Sequence, residues 1–94
     1  MIHAIGGDHR SWTSPFRDRY LYFYMSNDDQ RVRCGITGVA LELLEPELPH
    51  TKQGRIQAFN RRRARIERSA SEKFDRGALE PDGRTVLVRA FDLM

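Results

Sequence analysis

Residues 55–76 read RIQAFNRRRARIERSASEKFDR, and their periodicity decides the architecture. With Ile56 at zero and about 100° added per residue, Phe59, Ile66, Ala70 and Phe74 fall in one apolar stripe about 80° wide. Arg61, Arg65 and Arg68 fall on the far side. The pattern predicts one amphipathic helix over residues 55–76, with Lys73 and Arg76 in a last turn that suits cations and Gly77 as its stop. At about 1.5 Å per residue it would run about 33 Å, the whole width of a domain of this size. Such a rod is a scaffold, and the remaining elements must cover its stripe.

Arg63 stands inside that stripe. A guanidinium held against apolar surface needs acceptors, because an unpaired buried charge costs several kcal/mol. The expected reading is a structural ion pair with Asp92 first, Glu67 at i+4 within helical reach, and Glu42 as a further candidate. A snorkelling side chain or an anion contact are the alternatives.

Upstream, residues 20–25 are all aromatic or aliphatic, and residues 30–36 alternate Arg31, Arg33 and Gly35 with Val32, Cys34 and Ile36. Ser26-Asn27-Asp28-Asp29 separates them, so the pair reads as an antiparallel hairpin. Pairing Leu21 with Ile36, Phe23 with Cys34 and Met25 with Val32 leaves Asp28 and Asp29 as the loop, although two Asp suit a primed turn less well than Asn-Gly and a longer loop of the same parity is equally acceptable. All six apolar side chains then share one face. The other face carries Tyr20, Tyr22 and Tyr24 opposite Arg31 and Arg33. Packing under a helix or a dimer partner suits that face better than base stacking.

Thr37 caps a short helix over residues 39–44 with Leu41 and Leu44 inward, closed by Pro46 and Pro49. Glu80-Pro81-Asp82-Gly83 suits a type I turn. Residues 85–91 read as a strand with Val86, Val88 and Ala90 on one face and Leu87 and Phe91 on the other. Residues 1–19 read as irregular, with one short edge strand and Trp12 or Phe16 on the core.

This order, with Val32-Arg33-Cys34-Gly35-Ile36 on the second strand, Phe59, Arg63, Ile66, Glu67, Ala70, Lys73 and Phe74 on the helix, then Gly77 and a closing Asp92-Leu93, resembles the small bacterial domain-of-unknown-function 1488 family over residues 12–93. The resemblance implies a compact α+β domain of bacterial, cytoplasmic origin. It implies no activity. Residues 1–11 lie outside the pattern, as an N-terminal extension of a single domain over residues 1–94.

Charge is unevenly placed. Residues 51–76 hold nine cations against three acids, 9 − 3 = +6, and the rest hold seven Arg against ten acids, 7 − 10 = −3, which sum to the formal +3. Arg61, Arg62, Arg65 and Arg68 form a basic face that either is solvated or meets a nucleic-acid backbone. The longest apolar run has six residues, too short for a membrane span of about 20. A single Cys excludes an internal disulfide and fits a reducing cytoplasm.

His3, Asp8, His9 and His50 lack metal-site spacing, and no His or Ser completes a catalytic set with the loop carboxylates. The reading is therefore a mainly antiparallel sheet, a hairpin plus a C-terminal strand, covered by one long and one short helix. Its expected role is a non-catalytic interaction or regulatory module without metal or cofactor. Its partner is another protein or a second copy docked through the aromatic face; nucleic acid bound through the Arg face is the alternative.

Overall fold

The structure is a computed structural model that describes His3–Ala4 (β1), Ser11–Trp12 (β2) and residues 20–94. Its centre is the hairpin of β3 (Tyr20–Asn27) and β4 (Gln30–Thr37). Leu21 faces Ile36, Phe23 faces Cys34 and Met25 faces Val32, and the ladder closes on Asn27 opposite Gln30. Asp28 takes a φ of 56°, the left-handed conformation that a two-residue hairpin turn demands and that Asp tolerates. β1 and β2 both pair antiparallel with the other edge of β3, two short strands where the sequence suggests one. Phe16 and the side chain of Trp12 lie outside the described residues.

Thr37 ends β4 and starts α1 (Gly38–Leu44), its Oγ1 accepting the Ala40 N–H at 3.1 Å. Ala40 and Leu41 are buried and Leu44 packs against the core. Thr51 repeats the device for the next helix, accepting the Gly54 N–H at 3.0 Å.

The expected single rod is two helices, α2 (Lys52–Arg61) and α3 (Arg63–Asp75), interrupted at Arg62. Arg62 sits at φ −108°, ψ 17°, and its N–H is shared between the Ala58 and Phe59 carbonyls, each at 3.1 Å. Its own carbonyl accepts the Ile66 N–H at 3.0 Å and so begins α3. The break coincides with a convergence of side chains. Neighbouring residues on an unbroken helix point about 100° apart, yet Arg61 and Arg62 both grip Glu45 after α1. The local unwinding permits that convergence. Ile66 remains fully buried and Phe74 half-buried against the core, so the two helices still cover the sheet as one layer.

Beyond α3 the Gly77 N–H reaches the Phe74 carbonyl, and the Gly77 φ of +72° turns the chain so that the Ala78 N–H reaches the carbonyl of Lys73. After the turn at residues 80–83, β5 (Val86–Val88) pairs with β4 in parallel, Cys34 opposite Val86 and Ile36 opposite Val88. The sheet is therefore mixed, since the chain crosses it through three helices before re-entering beside β4. The strand expected over residues 85–91 also stops early. Asp92 accepts the Arg89 N–H at 2.8 Å and folds the end into a 3-10 turn, Ala90–Leu93. That turn leaves Phe91 69% exposed instead of on the sheet.

The result is an α+β domain with a helical layer on one sheet face. Leu21, Phe23, Cys34, Ile36, Val86 and Val88 meet Leu41, Ala58, Phe59, Ile66 and Ala70 there, with the Phe23 and Phe59 rings 5.0 Å apart. No helix of the described residues is long and apolar enough to cross a membrane.

Candidate functional site

With the helices committed to one face, the other is the hairpin's polar side. Strand parity places Tyr20, Tyr22 and Tyr24 there with Arg31 and Arg33. Each arginine reaches diagonally past its direct partner: the Arg33 guanidinium lies 3.8 Å from the Tyr22 ring centre, and that of Arg31 lies 4.2 Å from Tyr24. Tyr22 can lie flat because Gly35 is opposite it. A Cβ at Gly35 would come within 3.1 Å of both Tyr22 and Leu87. Leu87, which β5 sends to this same face, is thereby buried.

The wall beside these stacks is the turn over residues 80–85. The Gly83 N–H donates to the Glu80 carbonyl at 2.8 Å, the bond that closes a β-turn. Asp82 accepts from the Arg84 N–H at 2.7 Å, the Thr85 N–H at 2.8 Å and the Thr85 hydroxyl at 2.5 Å. These bonds, the hydroxyl's first, hold its carboxyl down at about 2. Arg89 grips Glu80 through both terminal guanidinium nitrogens, Nη1 and Nη2, at 2.8 and 2.9 Å, and lowers the Glu80 pKa in turn.

Two concavities lie between stacks and wall. One of about 230 Å³ is lined by Tyr20, Tyr22, Arg33 and residues of the turn, and one of about 260 Å³ by Tyr24, Arg31, Arg33, Arg84 and the turn. They share Arg33, Asp82 and Thr85, and so make one trough across the outer face.

The structure divides the other sequence candidates. Arg63 donates through Nε to Glu67 at 2.7 Å, and its guanidinium also lies 5.5 Å from the Phe59 ring. Asp92 is not its partner. That carboxylate belongs to Lys73, 2.9 Å away, with side chains only 7% and 5% exposed. Lys73 also donates to the Leu87 carbonyl at 2.8 Å, fastening α3 to β5. The correction has a simple cause: the buried side of α3 runs through Ile66, Ser69, Ala70 and Lys73, which leaves Arg63 at its margin. Burial opposes ionisation of Asp92, but the Arg89 N–H and the Lys73 ammonium outweigh it and lower its pKa.

On the basic face, Arg61 donates to Glu45 at 3.0 and 2.8 Å and Arg62 at 2.6 Å, which lowers the Glu45 pKa. Arg65 donates to the Leu93 carbonyl at 2.7 Å. Those three guanidiniums tie α1, the helix junction and the C-terminal turn together, and Arg68 stays exposed. Cys34 points into the core, where burial pushes its thiol up to about 12. His50 lies 3.4 Å from Glu42, while the side chains of His3, Asp8 and His9 lie outside the described residues.

Sequence reading missed Lys73, Arg84 and the Glu80–Arg89 pair. For Lys73 a signal existed, since it follows Ile66 by seven residues and shares its helix face. Arg84 offers none, because only the fold brings the turn beside the hairpin.

A pH dependence follows from the four lowered carboxylates, Glu45, Glu80, Asp82 and Asp92. Each gives up its proton more readily folded than unfolded, so the unfolded chain binds more protons in acid. The stabilisation is complete above the unfolded carboxylate range at about pH 4 and drains away as pH falls toward about 2. Thermal unfolding between pH 7 and about pH 2.5 should show a Tm that is level down to about pH 5 and then falls steeply. A Tm that stays level throughout would contradict the assignment.

Comparison with curated proteins gave no match, and neither did comparison with solved structures. A family model matches residues 8–87, most of the chain, and the protein therefore belongs to the family described as protein of unknown function (DUF1488).

Proposed function

We propose that this protein is a non-catalytic interaction module that docks a protein partner on the outer face of its sheet. One observation carries the reading: that face presents two tyrosine–guanidinium stacks along a trough, walled by a turn whose carboxylates, Glu80 and Asp82, are already engaged within the chain. Tyrosine and arginine are the residues that anchor protein interfaces, because they combine large area, few rotatable bonds and directional polar groups. Nucleic-acid contact through Arg61, Arg62, Arg65 and Arg68 is the weaker reading, since three of the four already bind acceptors within the chain.

The test is site-specific photocrosslinking in cells with p-benzoylphenylalanine in place of Tyr24 or of Arg68. The reading expects a discrete protein adduct from position 24 that disappears with Arg33→Glu. Adducts from position 68 alone, insensitive to Arg33→Glu, would overturn it.

A further inference from the structure

We propose that the trough binds an acidic, extended segment of a partner protein, its alternate carboxylates pairing with Arg31, Arg33 and Arg84. The inference rests on the outer face being the docking surface and adds the chemistry of what docks there.

Charge complementarity carries it. Arg31 and Arg33 make ring stacks, yet among the described residues no hydrogen bond or ion pair engages their guanidiniums or that of Arg84, whose charge only helps to lower the nearby Asp82. All three line the same concavity. The acids nearby are already engaged, Glu80 with Arg89 and Asp82 with the backbone and hydroxyl of its own turn. Counting Arg31, Arg33, Arg84 and Arg89 against Glu80 and Asp82 leaves 4 − 2 = +2 on the trough and its wall. A surface that keeps several guanidiniums unsatisfied beside a recess suits carboxylates, which accept the guanidinium fork through two parallel hydrogen bonds.

Spacing favours an extended peptide. Arg31 and Arg33 are two positions apart on one strand, so their stems repeat at about 6.8 Å, the repeat of alternate side chains on an extended chain lying alongside. Stacking on Tyr24 and Tyr22 limits the orientations of both guanidiniums before binding, which reduces the entropy lost on pairing. Single-stranded nucleic acid fits less well. Its sequence-tolerant binders offer open aromatic faces for bases, whereas here Tyr22 and Tyr24 have guanidiniums laid over them.

The experiment measures fluorescence anisotropy of a labelled octapeptide alternating Glu and Val, with Gln/Val and Lys/Val versions and a thymidine dodecanucleotide, at about 20 and about 150 mM NaCl. The Glu/Val peptide should bind at least about 10-fold more tightly than either control peptide and weaken with salt. Arg31→Glu combined with Arg33→Glu should lose at least about 10-fold, whereas Arg68→Glu should change little. Both arginines are exposed, so circular dichroism and Tm should show the variant folded. Equal binding of Glu/Val and Gln/Val peptides, both lost on Tyr22→Ala, would overturn the acidic chemistry and leave the docking face standing. Binding sensitive only to Arg68→Glu would overturn both. Tighter binding of the dodecanucleotide than of the Glu/Val peptide, self-association that saturates the face, or no binding by any probe would each overturn the inference. The crosslinking from position 24 then judges the face separately.

Discussion

Asp92→Ala and Lys73→Ala should each destabilise the fold by about 3 to 5 kcal/mol, because either one strands a buried charge. The two side chains are almost fully enclosed, and each does more than pair. Asp92 also accepts the Arg89 N–H that folds the 3-10 turn, and Lys73 also donates to the Leu87 carbonyl on β5. Losing Lys73 therefore leaves the Asp92 carboxylate without its counter-charge and removes the Leu87 carbonyl's side-chain donor. Urea unfolding of both single variants and the double variant gives the coupling. The double variant should cost less than the sum of the singles, since removing both partners leaves no charge unpaired. Losses below about 1 kcal/mol for both singles would show that the pair is not the clamp between α3 and the C-terminus.

Phe59→Ala should cost a comparable amount, about 3 to 5 kcal/mol, through the cavity it opens. Phe59 is fully buried at the end of α2 and meets Phe23 from the centre of β3, with ring centres 5.0 Å apart, so it joins helical layer and sheet where α2 gives way to α3. Phe91→Ala provides the contrast. That ring is mostly in water, and its loss should change the urea midpoint by less than about 0.5 kcal/mol in equivalent stability. If the two substitutions cost the same, the packing described for the α2–β3 contact is wrong.

The hairpin was fully legible. Alternation on the second strand, matched to Leu, Phe and Met alternating with Tyr on the first, sets the parity, and the observed register is the one that hides Leu21, Phe23 and Met25. Thr37 and Gly77 were legible for the same kind of reason, as their chemistry is local. The helix junction was not. Nothing in Asn60-Arg61-Arg62-Arg63 breaks a helix by propensity, and the interruption coincides with a contact far along the chain, two neighbouring arginines meeting Glu45, sixteen residues before Arg61. The same limit misassigned Asp92. A cation within the apolar stripe did need a carboxylate, but a helical wheel has no means of saying which edge of the stripe the sheet covers, and the sheet covers Lys73. The Tyr and Arg side of the trough was visible from strand parity, whereas Glu80, Asp82 and Arg84 entered only through the parallel return of β5.

The measurement that bears most directly on the function is a ¹⁵N chemical-shift titration of the whole chain with the alternating Glu/Val peptide. The account predicts saturable shifts gathered on Tyr22, Tyr24, Arg31, Arg33 and the turn at residues 80–85, with Arg61, Arg65 and Arg68 unmoved. Shifts gathered on those helix arginines, or none at all on the outer strand residues, would contradict it.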